Sequence, residues 1–193
     1  MNYVYLYFCY FTFGYCLSFP GVATQFIMID VLHFSPVEMT MAMGIISSPW
    51  TMKPLFGFLS DKYEIFDWGR RRPYIACGGL CAAFMYVYIE HFMASKQLFT
   101  MALTFISASV CVADVCADSI TVEHVKNEHT KGKLQSNCWI SRACGTLVGA
   151  FFGGAAYNTF GGIVVFQLVG LSPVIMSAMV WRLPKHYGSV SDN

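Results

Sequence analysis

The sequence predicts an all-α integral membrane protein built from six transmembrane helices. Of its 193 residues, 56% are hydrophobic and only 12% are charged, whereas soluble domains carry about 25% charged residues. No charged residue precedes Asp30, and no Lys or Arg precedes Lys53. Lipid is therefore the predicted solvent for most of the chain, and a net charge of +1 gives no reason to expect a nucleic-acid partner.

The first predicted helix comes from an apolar stretch that is longer than a single crossing of the bilayer. A crossing takes about 20 mainly apolar residues, and this stretch covers residues 3–30. Gly14, Pro20 and Gly21 lie within it, and they predict a kink or a tilt. Its many Tyr and Phe residues near the N-terminus suit a membrane interface.

The other five predicted helices come from apolar stretches that each have about the length of one crossing. An Arg-rich loop follows the second stretch, a short polar turn follows the third, and a His- and Lys-containing connector follows the fourth. We predict a single transmembrane domain over residues 1–183 and a short cytoplasmic tail over 184–193. The five stretches cover approximately residues 38–60, 73–93, 97–121, 135–157 and 159–182.

The basic residues predict the orientation of the helices. They collect on alternate connectors, while the opposite side of the membrane receives Lys96 alone. Since Lys and Arg accumulate in cytoplasmic loops, both termini are predicted to be cytoplasmic. The plasma membrane is the default location, with an organelle membrane as the alternative. The basic residues on the predicted cytoplasmic side are Lys62, Arg70, Arg71, Arg72, Lys126, Lys131, Lys133, Arg182 and Lys185.

Four charged residues fall at similar depths inside the predicted helices. Lys53, Asp114 and Arg142 each lie about seven residues from a cytoplasmic end, which at 1.5 Å per residue is about 10 Å deep. Asp118 follows Asp114 by four residues, on the same helix face. A lone charge at mid-membrane costs about 2.5–3.5 kcal/mol, so we expect the four to compensate one another beside water.

Two interpretations of this charge set are open. It is either a substrate or proton cavity or a structural ion-pair network that joins three helices. Asp30 is a further candidate for the cavity, and a position at the outer membrane interface is the alternative for it.

Two glycine-containing patterns are associated with packing and gating. Gly145, Gly149 and Gly153 recur every fourth residue and predict close helix packing. A second pattern at the cytoplasmic boundary predicts either a topological anchor or a gate between an acid and a helix N-terminus. Its residues are Gly57, Asp61, Gly69, Arg70, Arg71 and Arg72.

We predict that the protein is not an enzyme and that it holds no metal or cofactor. The eight cysteines lie in apolar segments without a Cys-x-x-Cys pair, which favours buried reduced thiols. Asp114 and Asp118 together could bind a divalent metal and a diphosphate, as in a membrane-embedded transferase. No acid-rich repeat or Gly-rich phosphate loop accompanies them, so this enzyme is only an alternative.

An ordered set of residues covers most of positions 35–150. It comprises Ser35 and Pro36; Pro49, Trp50, Lys53, Pro54, Gly57, Ser60 and Asp61; Gly69 to Tyr74; Ala113, Asp114, Val115, Asp118, Val122 and Glu123; and Gly132, Leu134, Gln135, Ser136, Cys138, Trp139 and Arg142. This set resembles the folate–biopterin transporter family, a branch of the major facilitator superfamily.

The resemblance implies secondary active transport of a folate, a pterin or a related small anionic metabolite, coupled to protons as a symport, by alternating access. It makes Lys53, Asp114, Asp118 and Arg142 the candidate cavity lining, with the two bases engaging anions and an acid contacting the ring.

Members of that family have twelve helices in two halves, and this chain resembles the N-terminal half. It is expected to be a fragment or truncated gene model, or else to pair with a C-terminal half on another polypeptide. A non-transporting subunit or scaffold is the alternative function.

Overall fold

The structure, a computed structural model, describes residues 3–63, 71–123 and 128–183, apart from the side chains of residues 123 and 128–131. Apart from short connecting turns, this part of the chain is helical and contains no strand, which confirms the predicted all-α class. The α-helices are α1 (Val4–Ser18), α2 (Gly21–Phe26), α3 (Pro36–Thr51), α4 (Lys53–Lys62), α5 (Arg72–Val87), α6 (Lys96–Glu123), α7 (Glu128–Phe160) and α8 (Gly162–Met179).

Three helical segments within the described residues are long and apolar enough to cross a membrane. They are Val4–Val31, Lys96–Val122 and Gly162–Arg182. They correspond to the first, fourth and sixth predicted stretches. The other three predicted crossings, and therefore the total of six, stay predictions.

The first segment is interrupted at Pro20, one of the residues that predict a kink. The α-helical pattern stops between α1 and α2, at Phe19 and Pro20, because proline has no N–H to continue the hydrogen-bond ladder. The segment then ends in a π-helix, Ile27–Val31. His33 follows with a φ of 51°, a left-handed conformation that turns the chain away from the helix axis.

The second predicted stretch is broken, which its composition did not predict. A capping box at Ser35 begins α3, because the Ser35 side chain accepts from the Glu38 N–H. The helix stops at Met52, and Lys53 begins α4. Pro49 lies inside the last turn of α3, and Pro54 lies in the first turn of α4. The two prolines flank the break because each removes a backbone donor.

The fifth helix begins earlier than predicted. Its apolar stretch was placed at 135–157, with a polar connector before it, but α7 runs over Glu128–Phe160. The apolar pattern marks where a helix enters lipid, whereas hydrogen bonds along the backbone decide where it begins. Lys and Gln favour helix nearly as well as apolar residues do, so Lys133 and Gln135 continue the helix outward.

Glycines bring α1 and α7 into close contact. A Cβ built at Gly149 would lie 2.9 Å from the nitrogen of Phe19, the residue that follows α1. Gly145 faces the backbone of Phe11 in α1, and Gly153 faces the backbone of Phe19. The three glycines thus have the packing role that small residues play between membrane helices. On the other side, α5 packs against both α6 and α8, and α3 packs against α6. This arrangement sets α1, α4, α6 and α7 around the buried charges.

Candidate functional site

The site is centred on Asp114, whose side chain is completely buried on α6. Lys53 Nζ donates to Asp114 Oδ2 at 2.5 Å, and Arg142 Nη1 donates to Asp114 Oδ1 at 2.7 Å. The two carboxylate oxygens therefore bind two different cations from α4 and α7. Such charge-assisted bonds are the strong class of hydrogen bond, and they join three helices at one point.

Asp118 lies one turn further along α6 and is more open. Its side chain is 38% exposed, and its Oδ2 lies 3.4 Å from Lys53 Nζ. Its other oxygen, Oδ1, accepts a hydrogen bond of 2.6 Å from the Tyr10 hydroxyl of α1. That hydroxyl also lies 3.1 Å from Thr121 Oγ1. Asp118 is thus held by one base and one phenol, while part of its carboxylate stays accessible.

Two tryptophans flank the cationic groups. Arg142 Cζ lies 5.4 Å from the ring centroid of Trp50 and 5.3 Å from that of Trp139. Lys53 Nζ lies 4.9 Å from the Trp50 centroid. The negative face of an indole attracts a cation at these distances. Trp50 is itself oriented, because its Nε1 donates to Ser107 Oγ at 3.0 Å.

The position of Lys53 follows from the break in the second segment. The side chain starts from the first residue of α4, where the chain re-enters the helix after Met52. It is 29% exposed, so it reaches both aspartates while keeping contact with the accessible side of the cluster. Arg142, by contrast, is held between the two indoles. The set therefore combines one enclosed cation with one more open cation.

The four charged residues of the site, two bases and two acids, carry no net charge together. Two bases and two acids compensate one another, which lowers the penalty of placing each in a low-dielectric region. Asp114 binds two cations directly, so it is poorly available to a metal ion. Among the residues that the structure describes, no three His, Cys, Asp or Glu side chains form a group that could hold a metal.

The boundary motif contains a second ion pair. Arg71 Nη2 donates to Asp61 Oδ1 at 2.7 Å, which ties the end of α4 to the start of α5. A Cβ on Gly57 would lie 3.7 Å from Val115 Cγ1, so α4 also runs close to α6 there. Arg72 is buried at the first position of α5. Gly69 and Arg70 lie outside the described residues.

Asp30 is not brought to this cluster. It is exposed, and it lies in the π-helix that ends the first segment. Tyr10 is the reverse case, since the sequence did not single it out. The first stretch contains many Tyr and Phe residues, so nothing in the sequence marked this one hydroxyl as part of the site. Only the packing of α1 against α6 distinguishes this phenol from its neighbours.

The fold and the site are those of an α-helical membrane protein whose buried charges are paired between helices. The chain belongs to the BT1 family, that of the folate-biopterin transporters: the family model matches residues 14–189. This agrees with the resemblance in the sequence motifs.

Relatives in a cyanobacterium and a plant carry the same family name. The chain is 32% identical over 161 residues to the "Folate-biopterin transporter" of Synechocystis sp., covering 82% of this chain and 32% of that protein. It is 31% identical over 164 residues to "Probable folate-biopterin transporter 2" of Arabidopsis thaliana, covering 84% and 33%. It is 32% identical over 172 residues to "Probable folate-biopterin transporter 5" of the same plant, covering 86% and 34%.

The chain spans about a third of the length of these relatives. Because they are named transporters, they agree with the prediction that this chain is not an enzyme.

Proposed function

We propose that this chain forms the six-helix N-terminal half of a secondary active transporter of the major facilitator type. Its cargo is a folate, a pterin or a related small anionic metabolite, moved by alternating access together with protons. The transmembrane domain covers residues 1–183 and the cytoplasmic tail covers 184–193, with both termini in the cytoplasm. The observation that carries the proposal is Asp114 held between Lys53 and Arg142.

Under the proposal, Lys53 and Arg142 bind the anionic group of the substrate. Arg142 uses Nη1 for Asp114, and a guanidinium has five N–H donors in all, so it can also bind a carboxylate. Lys53 is shared between Asp114 and Asp118, and its three donors allow an exchange of partners. A substrate carboxylate would compete with the aspartates for these cations.

Asp118 is the proposed proton carrier. It is more accessible than Asp114 and is bound by only one of the two bases. Protonation of Asp118 would remove one of the two anionic partners of Lys53, so that the anionic substrate could take its place beside the ammonium group. The binding of the proton and that of the substrate are coupled in this way. Asp114, with both oxygens occupied by cations, instead has the role of holding the helices together.

The Asp61–Arg71 pair is the proposed cytoplasmic gate. Its atoms lie 2.7 Å apart at the junction of α4 and α5. An ion pair that forms in one conformation and separates in the other biases the equilibrium between the two. Asp30 is exposed in the π-helix that ends the first segment. The proposal therefore gives it no role in this cavity.

Uptake into proteoliposomes tests the function. Labelled folate and biopterin are offered to two proteins with and without an acidic outer solution. One is this chain alone, and the other is the Synechocystis transporter in which this chain replaces the aligned part. We expect the chimera to accumulate one or both compounds when the outside is acidic, and the K53M and R142Q variants of the chimera to lose that uptake.

A chimera that reaches the membrane and takes up neither compound would contradict the proposal. Uptake by the parent transporter in the same vesicles is the positive control. If this chain restores no transport in either format, the scaffold interpretation is favoured, since the chain spans only about a third of its relatives.

A further inference from the structure

Two hydroxyl groups connect Asp118 to the buried part of the bundle. The Tyr10 hydroxyl lies 2.6 Å from Asp118 Oδ1 and 3.1 Å from Thr121 Oγ1. The Thr121 hydroxyl in turn donates to the backbone oxygen of Ala117 at 2.9 Å. Tyr10 and Thr121 are only 2% and 4% exposed, so both are shielded from bulk water. We call these two side chains the hydroxyl chain.

The hydroxyl chain has fewer hydrogen atoms than contacts while Asp118 is ionised. Each hydroxyl carries a single hydrogen, and an ionised carboxylate only accepts. Three contacts in a row, from the carboxylate to the Ala117 oxygen, therefore share two hydrogens. When Tyr10 donates to the carboxylate and Thr121 donates to the backbone, the contact between the two hydroxyls holds no hydrogen. One added proton would complete the row.

The position of Lys53 decides which oxygen of Asp118 takes that proton. Oδ2 lies 3.4 Å from Lys53 Nζ, and an ammonium group only donates, so a proton on Oδ2 would face another donor. Oδ1 faces the Tyr10 oxygen, which can accept. A proton taken from water onto Oδ1 would donate to Tyr10, whose own hydrogen would turn to Thr121. All three contacts would then hold a hydrogen.

Other charged and titratable side chains surround Asp118. Removing a hydroxyl from Tyr10 or Thr121 keeps all of these groups, so a difference between such variants reports on the hydroxyl chain. The surrounding groups are Lys53 of α4, Cys111 and Asp114 of α6, and Cys138 and Arg142 of α7.

We propose that the hydroxyl chain sets the proton affinity of Asp118. Tyr10 stabilises the ionised form by donating to Oδ1, and Thr121 stabilises the protonated form by accepting the hydrogen that Tyr10 then turns away. Thr121 acts through Tyr10 and is therefore a positioning residue. This inference rests on the proposed function, and it adds to it the groups that determine at which pH the proton carrier is loaded.

The test is the pH dependence of uptake by the chimera described above, measured for its Y10F, T121V and Y10F/T121V variants. T121S is the conservative variant, because it keeps the hydroxyl. T100V is the matched control, since Thr100 is also buried on α6 and its hydroxyl donates to the backbone oxygen of Lys96, four residues earlier.

We expect T121V to lower the pH of half-maximal uptake by about 0.5–1 unit, because the protonated form loses one hydrogen bond. Y10F should raise that pH by about one unit, because the ionised form loses a stronger bond to a charged group. T121V should have no effect when Tyr10 is already replaced, since the two residues act in series. T121S and T100V should keep the wild-type profile.

Two outcomes of these measurements would overturn the inference. One is a shift of T121V and Y10F in the same direction, and the other is an equal shift by T121V with and without Tyr10; either would leave Thr121 a structural role alone. Wild-type chimera without uptake would overturn the proposed function instead. The inference is then decided on the same proteins by infrared titration of the protonated carboxyl band that D118N removes. The same order of variants supports it, and absence of a titrating band refutes it.

Discussion

Lys53 and Asp114 form an ion pair of 2.5 Å between α4 and α6, at the point where the second helical segment is broken. Because Lys53 is the first residue of α4, the break determines where its ammonium group points. Asp114 in turn binds Arg142 of α7. One buried carboxylate therefore links three helices, and it is the part of the site most sensitive to substitution.

Replacing Asp114 by Asn is expected to destabilise the protein more than any other conservative change in the site. It leaves two cations without their shared counter-ion, and breaking a buried pair in this way costs about 3–5 kcal/mol. Thermal unfolding in detergent measures the effect. E38Q is the matched control, since Glu38 pairs with Lys96 on the surface and such pairs contribute little. An equal fall in Tm for both variants would contradict this role of Asp114.

Asp118 is expected to differ from Asp114 in function. D118N should leave the Tm within a few degrees of the wild type, because this side chain is partly exposed, and should abolish the stimulation of uptake by an acidic outer solution. Uptake by the chimera with and without a pH gradient provides the measurement. If D118N keeps its full response to the gradient, Asp118 is not the proton carrier.

Tyr10 is expected to contribute through its hydroxyl alone. Y10F removes the bond of 2.6 Å to Asp118 and keeps the ring that packs in the core. A hydrogen bond to a charged group contributes about 1.5–3 kcal/mol, so the Tm should fall clearly. The same change at Tyr5, which is only partly buried on the same helix, should have a smaller effect. A Y10F variant as stable as Y5F would refute the assignment.

The contact between α1 and α7 leads to a prediction about glycine. At Gly149 a Cβ would lie 2.9 Å from the Phe19 nitrogen, whereas at Gly154 the nearest atom is Val22 Cγ2 at 4.0 Å. G149A is therefore expected to force the helices apart at a cost of about 1–3 kcal/mol, and G154A to be nearly neutral. Unfolding in detergent distinguishes the pair. Equal stability of the two variants would mean that the helices separate without strain.

The Asp61–Arg71 pair should respond to reversal of its charges. R71D alone places two acids together and is expected to lower uptake by the chimera at least tenfold, because like charges disfavour the closed conformation. The double variant D61R/R71D restores opposite charges and should recover part of the activity. Absence of any recovery would show that the two side chains do not act as a gating pair.

The all-α membrane class could be predicted from the sequence, because it depends on composition and on the length of the apolar stretches. An apolar sequence with few charges can satisfy its backbone in lipid only as helices or as a closed barrel, and stretches of about 20 apolar residues favour helices. Counting residues at a fixed rise also led us to expect Lys53, Asp114 and Arg142 near one another, and their ion pairs show this proximity. Helix ends did not follow in this way, as the early start of α7 at Glu128 illustrates.

The choice of partners within the site was decided by the tertiary structure. Counting along helices placed two acids and two bases at similar depth, but it could not specify that Asp114 binds both bases or that Asp118 binds a phenol. Tyr10 and Asp118 are 108 residues apart in the chain. Their contact depends on how α1 and α6 are rotated and how closely they approach, and that is set by glycine contacts and packed side chains across the whole bundle rather than by any local pattern.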